Sequence, residues 1–284
     1  MGVCETNPRK AGGMITENEF IQISNRDYHE GPGVSKSDLT LFAVTPAHYK
    51  AKEEYEETPT MAFGQAVHAA ILEPSRFADE YMVAPENIDK RTKAGKEWFA
   101  EAEASGKTVL KWDDHTALLG MKKSVYTSKT ARALLEDDGL IEHSGWWKDP
   151  RTGLLLKCRP DKVSTGLKIL VDLKTTTEAG YDAFTKKVAN YKYHWQGFLY
   201  LEGTREILDA NEYRDFLIIV VETKPPYAMA VYRLDEEMLY IASQEIAVLL
   251  DEFRECQEAD HWPGYPDKVQ TISLPRYYVK RAME

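Results

Sequence analysis

The residues best suited to chemistry lie along an apolar hairpin. Residues 154–163 and 168–175 are rich in apolar and β-branched side chains, and the Ser-Thr-Gly segment between them predicts a turn. Side chains alternate along a strand, so Asp172 and Lys174 share a face, and a tight hairpin places Asp161 beside Asp172. Burying such charges is costly unless they pair or hold a cation. Two carboxylates and a lysine can bind Mg²⁺ and activate a water for phosphodiester cleavage. From the hairpin alone, a surface ion pair between Asp172 and Lys174 explains these residues equally well.

The order of these residues resembles a nuclease motif. Pro160-Asp161, ten further residues and then Asp172-Leu173-Lys174 follow the pattern of the PD-(D/E)XK superfamily. Further stretches, in the same order along the chain, resemble RecE-type (exonuclease VIII) recombination exonucleases of phages and prophages. These stretches are residues 28–39 with 45–49, a histidine-bearing helix at 61–74, an acidic strand at 141–153 and a Gln/Tyr helix at 191–201.

The resemblance implies an α/β fold with a restriction-endonuclease-like core, in which helices flank a central mixed β-sheet. We expect one nuclease domain over residues 19–284, preceded by a mobile segment over residues 1–18. Apolar periodicity and capping residues predict the individual elements. The predicted strands are 140–148, 154–163, 168–175, 216–221 and an edge strand at 228–234; the predicted helices are 35–43, 62–72, 93–104, 115–135, 182–188, 193–201 and 236–257.

The resemblance also implies a metal site that uses Mg²⁺, with Mn²⁺ as a substitute. Asp161 and Asp172 would bind the ion, His68 would join them through a neutral ring nitrogen, and Glu142 would complete the sphere. The carbonyl of Leu173 would be a further ligand, and Lys174 would orient the attacking water and stabilise charge on the phosphate. Taken without the resemblance, His68 reads as a hydrogen-bonded core histidine and Glu142 as an exposed strand residue.

Substrate contacts are predicted on two helices. Gln196 and Tyr200 are four residues apart and Tyr193 lies three residues before Gln196, so all three share one helical face. The resemblance implies that Gln196 and Tyr200 position the phosphate and support Lys174. Ser35 and Ser37 lie at a predicted helix N-terminus, where they could bind a DNA phosphate. Helix capping explains the two serines equally well.

Composition restricts the class of protein. The chain has 284 residues, 43% of them hydrophobic and 29% charged, which is ordinary for a globular domain. Its three cysteines are too few and too scattered for a disulfide framework or a four-cysteine iron–sulfur cluster. We find neither a membrane-length apolar run nor a signal peptide, and therefore expect a cytoplasmic location in a bacterial host, without membrane association.

The net negative charge of the chain is unusual for a DNA-binding protein. The net charge is −10 and the isoelectric point is about 5.3, whereas DNA-binding domains are usually basic. A local basic track would suffice at the place where DNA lies. The candidates for such a track are Lys90–Lys96, Lys186 with Lys187, and Lys157 with Arg159.

The function implied by the resemblance is that of a Mg²⁺-dependent exonuclease on linear double-stranded DNA. Such an enzyme would act 5′→3′ and processively, leaving 3′ single-stranded overhangs for recombination by single-strand annealing. Its partners would be a RecT-like or other annealing protein and further copies of itself in a ring-shaped homo-oligomer, expected to be a tetramer. Two alternatives stay open. One is a structure- or site-specific DNA endonuclease. The other is a catalytically silent DNA-end-binding module; such a module would be expected to lack an acidic ligand or the lysine, and this chain has them all.

Overall fold

The structure, a computed structural model, describes residues 17–53 and 58–283. The strands are β1 (Phe20–Ile21), β2 (Tyr81–Val83), β3 (Thr108–Leu110), β4 (Gly139–Ile141), β5 (Ser144–Lys148), β6 (Leu155–Cys158), β7 (Lys162–Ser164), β8 (Ile169–Thr176), β9 (Asp215–Glu222) and β10 (Met229–Arg233). The helices are α1 (Asn25–Glu30), α2 (Lys36–Phe42), α3 (Pro46–Lys50), α4 (Pro59–Leu72), α5 (Pro74–Glu80), α6 (Lys93–Ser105), α7 (Trp112–Thr127), α8 (Lys129–Glu136), α9 (Tyr181–Asn190), α10 (Tyr193–Leu208), α11 (Glu236–Ala259) and α12 (Arg276–Met283).

A mixed sheet with the strand order β10-β9-β8-β7-β4 forms the centre of the fold. β8 and β9 run parallel, whereas the other neighbours are antiparallel. Alternation along β8 divides its side chains between two layers of helices. Val171 and Leu173 pack in a core with α4 and α7, and Leu170 packs in another core with α9 and α10. Asp172 therefore faces α10, on the opposite side of the sheet from Leu173.

The long hairpin before β8 runs through two sheets. The single strands predicted at 140–148 and 154–163 are wrong, because each is divided: β4 and β7 pair in the central sheet, and β5 and β6 pair in a three-stranded sheet with β1. One break lies at Glu142, whose φ is 53°, and the other precedes Asp161 at Pro160, which has no N–H for a ladder. The Glu142 N–H donates to the Asp161 carbonyl at 3.1 Å, so the two breaks face each other.

Helix α10 joins the two sheets. Trp195 and Leu199 on this helix pack with Trp147 of β5, while Leu201 belongs to the core beneath the central sheet. The close approach requires a glycine, because a Cβ on Gly203 would lie 2.5 Å from the Trp147 ring. Residues 193–200 are thereby held against the face of β8 that carries Asp172.

Most other predicted elements agree with the structure within a few residues. There are two exceptions. The helix predicted over 193–201 continues to Leu208 in α10, and the helix predicted over 115–135 is two helices, α7 and α8. They separate at Ser128, whose hydroxyl accepts the Ala131 N–H and caps α8. The segment predicted to be mobile, 1–18, lies outside the described residues except for its last two. Across the two described ranges, no helix is long and apolar enough to cross a membrane.

Candidate active site

Three potential metal ligands converge from a helix and the two hairpin breaks. His68 Nδ1 lies 3.3 Å from Glu142 Oε1 and 3.5 Å from Asp161 Oδ2. One ligand atom from each of the three residues falls within 4.8 Å of the others. Small buried residues, among them Ala66 and Ala70, let α4 approach the sheet closely enough to bring the imidazole to the carboxylates. The structure thus brings together three residues that are 19 to 93 positions apart in sequence.

Asp172 lies next to this group and is held by two other side chains. Lys174 Nζ is 2.6 Å from Asp172 Oδ2, and Gln196 Nε2 donates to Asp172 Oδ1 at 2.6 Å. The Leu173 N–H donates to Asp161 Oδ2 at 2.6 Å, which ties the two acidic positions of the hairpin together. Asp172 is not a member of the three-residue group, and the contact that the structure shows for Leu173 is made by its N–H rather than its carbonyl.

The electrostatics of the site favour an added cation. Burial raises the pKa of Asp161, and burial raises the pKa of Asp172 to about 6 against the opposing effect of Lys174. For His68, burial acts to lower the pKa, but Asp161 and Glu142 outweigh it and raise the value to about 9. Burial likewise acts to lower the pKa of Lys174, which Asp172 and Asp161 raise instead. Burial thus opposes ionisation of the two aspartates, a cost that an added cation would reduce, while the carboxylates keep His68 and Lys174 charged.

The donor set fits a divalent metal ion. Carboxylate oxygens with an imidazole nitrogen suit Mg²⁺ and Mn²⁺, and the carboxylates gain the compensating charge that burial demands. A further observation agrees: Asp172 Oδ2 is buried and receives no hydrogen bond of normal geometry, despite the nearby ammonium. His68, Glu142 and Asp161 would hold the ion, with Asp172 at its side.

A cavity of about 450 Å³ opens onto the site. Its wall includes Ser35, Ser37, Gln196 and Tyr200, in addition to the three potential metal ligands and Lys174. The hydroxyl of Ser35 also forms a capping box with Asp38, at 2.6 Å, so capping accounts for part of its role. Tyr193 lies beside the cavity, with its ring centroid 5.3 Å from Lys174 Nζ.

Three further cationic residues line the cavity: Lys36 and Arg76 were not predicted, and Arg159 was predicted only as part of a basic track. Lys36 lies between the two serines and donates to the Tyr191 carbonyl at 2.6 Å. Arg159 precedes the Pro160-Asp161 pair, and its Nε donates to Ser144 Oγ at 2.8 Å. Lys36 and Arg159 are adjacent in sequence to predicted site residues, and this proximity could have identified them. No sequence feature indicates Arg76, because it reaches the cavity wall only through the packing of α5.

One proposed part of a basic track is wrong. Lys157 is only 3% exposed, and its Nζ donates to the backbone carbonyls of Tyr28 and Gly31 at 2.8 and 2.7 Å. These carbonyls are at the end of α1, where a cation is favourable. Lys157 therefore stabilises the N-terminal segment and is not available to DNA.

Comparison with known protein families agrees with this arrangement. Residues 35–275 match the model of a family described as PDDEXK-like domain of unknown function (DUF3799). The chain belongs to this family. The match contains all the predicted metal and catalytic residues and confirms the predicted fold class. No curated protein sequence matched the chain.

Solved structures support the same fold. A protein from Eubacterium rectale, named "putative exonuclease", is 12% identical, covers 91% of this chain and 98% of its own length, and superposes with a TM-score of 0.59. A second structure, of a protein named SSO0001, is 15% identical over 68% of this chain and 88% of its own, but its TM-score of 0.27 is too low to compare the folds. Family and fold together support a nuclease of the PD-(D/E)XK type.

Proposed function

We propose that this protein is a Mg²⁺-dependent exonuclease acting on double-stranded DNA. The observation that carries the proposal is the convergence of His68, Glu142 and Asp161 within 4.8 Å, in one cavity with Lys174. A structural ion pair would need only Asp172 and Lys174. It would not need an imidazole and two further carboxylates brought in from separate elements.

The side chains have distinct parts in the proposed hydrolysis. A divalent ion, when bound, supplies positive charge that acidifies a water and neutralises charge on the phosphate. Lys174 contributes a fixed ammonium at the same place, because its raised pKa keeps it charged at neutral pH. That charged state favours electrostatic stabilisation over a role as general base. Gln196 fixes the Asp172 carboxylate, and His68 gives up its proton when its nitrogen becomes a ligand.

The finer activity rests on resemblance. The motifs resemble RecE-type exonucleases, and the Eubacterium rectale protein that shares the fold carries the name "putative exonuclease". On this basis the protein degrades linear duplex DNA 5′→3′ and processively, and it leaves 3′ overhangs for recombination. A single-strand annealing protein would receive those overhangs, and the enzyme would act as a ring-shaped homo-oligomer, a tetramer.

The test uses linear and closed-circular duplex DNA with Mg²⁺ or with a chelator. We expect loss of the linear form alone, in Mg²⁺ only, and release of label from the 5′ end before the 3′ end. Cutting of both forms would establish an endonuclease instead, and loss of neither would indicate a binding module. The Asp172→Ala variant is the control. It should be inactive, since it removes an acidic group from the metal site, and it should fold, since it also removes the repulsion between Asp172 and Asp161. Retained cleavage would remove Asp172 from the mechanism.

A further inference from the structure

A pair of tyrosines lies at the edge of the site, and only one of the two packs against the core. The rings of Tyr191 and Tyr193 are stacked, with centroids 5.8 Å apart and planes 23° apart. Tyr193 is backed by the buried Phe184, at 6.0 Å between centroids, whereas Tyr191 is 58% exposed. The outer ring therefore presents apolar surface to solvent on a rigid support.

The backbone that carries this pair is held in an unusual conformation. Lys192, between the two tyrosines, has φ 55° and ψ 44°, in the left-handed region that non-glycine residues rarely adopt. This residue turns the chain from α9 into α10, and the tyrosines on either side of it stack. Lys36 Nζ fixes the turn from α2 by donating to the Tyr191 carbonyl at 2.6 Å. A strained turn that is fixed from outside is a frequent property of binding sites.

The pair is also continuous with the reactive groups. Lys174 Nζ lies 5.3 Å and Lys36 Nζ 5.9 Å from the centroid of the Tyr193 ring. Both lysines line the cavity that contains His68 and Asp161. Lys36 donates to a neutral carbonyl, and burial with repulsion from Lys174 lowers its pKa to about 8. An anion beside Tyr193 would relieve that repulsion.

Exposed aromatic rings next to ammonium groups are the features that bind single-stranded nucleic acid, because every base has a face that can stack. We propose that Tyr191, backed by Tyr193, stacks on an unpaired base of the DNA strand next to the scissile phosphate. Lys36 and Lys174 would face the adjoining phosphates. This inference rests on the proposed function for its choice of DNA, and it implies that the end of the duplex is frayed at the site. Stacking alone reads no sequence, so the contact tolerates any base.

The test measures binding of a fluorescein-labelled oligothymidylate to the full chain by anisotropy, in a chelator that prevents cleavage. Loss of one stacked base costs about 1–3 kcal/mol, so Tyr191→Ala should bind roughly 5- to 150-fold more weakly. Tyr191→Phe, which keeps the ring, should bind like the wild type, and Tyr191→Leu, which keeps the bulk, should resemble Tyr191→Ala. Tyr240 is a matched control, since it is 66% exposed on α11, and Tyr240→Ala should have no effect.

A second readout reports stacking directly. A 2-aminopurine base in the oligonucleotide should lose fluorescence on binding to wild type and to Tyr191→Phe, but not to Tyr191→Ala. Equal affinity of Tyr191→Ala and wild type for the oligothymidylate would overturn the inference, and so would a 2-aminopurine signal that does not change when the wild type binds. Failure of this kind leaves cleavage of linear DNA by the wild type intact. If the wild type instead fails to cleave, the proposed nuclease function fails, whatever the tyrosine variants bind.

Discussion

Asp172 shows how a buried charge is made tolerable at this site. A carboxylate that is 1% exposed needs compensation, and it has one amide donor from Gln196 and one ammonium from Lys174. Lys174 therefore contacts Asp172 and also lines the cavity. Its charge compensates the buried carboxylate and can also stabilise a phosphate in the cavity. Substitution of Lys174 shows how much of the hydrolysis rate depends on that charge.

Lys174→Ala should slow hydrolysis by about 10²–10³-fold, because it removes a fixed charge at the position where negative charge develops. Binding of Mn²⁺ to the folded variant should persist, since the ammonium is not a ligand. Single-turnover cleavage and metal titration measure the two properties separately. Lys168→Ala is the control, because Lys168 lies just before β8 and pairs with Glu212 at 3.4 Å. Unchanged turnover in Lys174→Ala would contradict the assigned role.

His68 should link stability to pH in the metal-free protein. Its pKa is about 9 in the folded state against about 6.5 for the unfolded chain, so protonation favours the folded state. That contribution is complete below pH 6.5 and is lost as the pH rises through 9. With a discount for partial exposure, we expect it to be about 2 kcal/mol.

Urea unfolding in chelator, at pH 6 and pH 10, measures this contribution as the difference in unfolding free energy between wild type and His68→Gln. The difference isolates His68 because lysines with lowered pKa values titrate in both proteins. A difference that is the same at both pH values would show that Asp161 and Glu142 do not hold the imidazolium.

Among the secondary-structure elements, sequence patterns predicted the contacts within a local hairpin better than the contacts between distant elements. The spacing of Asp161 and Asp172 predicted that they meet, because a hairpin has a fixed pairing, and β7 and β8 do pair in this way. The pattern did not predict that residues 154–163 change sheets at Pro160, because apolar residues continue on both sides of the break. Nor did it predict Arg76 in the cavity, since α5 reaches the site only through tertiary packing.

The acidic loop before β4 has a structural role in the hairpin. Asp137 Oδ2 accepts hydrogen bonds from Ser164 Oγ and from the N–H groups of Gly166 and Leu167. The backbone carbonyl of the same residue accepts from Lys162 Nζ. Asp137 thus fixes the turn between β7 and β8, which sets the pairing that brings Asp161 to Asp172.

Asp137→Ala should lower the melting temperature by several degrees and reduce turnover, because three hydrogen bonds to the hairpin turn are lost. Asp138→Ala is the matched control: its side chain is exposed, and its retained backbone carbonyl still accepts the Thr165 N–H at 2.8 Å. Calorimetry and cleavage at a temperature where both variants are folded measure the two effects. Equal behaviour of the variants would mean that the turn does not depend on the Asp137 side chain.

In the molecule as a whole, the net negative charge opposes binding of the proposed DNA substrate, but several cationic side chains lie in the wall of the cavity. A net charge of −10 repels a duplex at a distance, so long-range attraction cannot be the basis of binding. The cavity collects Lys36, Arg76, Arg159 and Lys174 in its wall. Arg76 is neutralised by Glu73 and Glu80, each at 2.7 Å. The free positive charge that remains is small and local.

This distribution predicts a weak dependence of DNA affinity on salt. Each phosphate neutralised on duplex DNA contributes about −0.9 to the slope of log affinity against log salt, so three or four contacts give roughly −3 to −4. Anisotropy of a labelled duplex end, measured in chelator from low to moderate salt, gives the slope. Lys36→Ala should reduce its magnitude by about one, whereas Lys168→Ala should leave it unchanged. A slope steeper than about −6 would require contacts far beyond the cavity, and an extended basic surface would then have to be sought on an assembled oligomer.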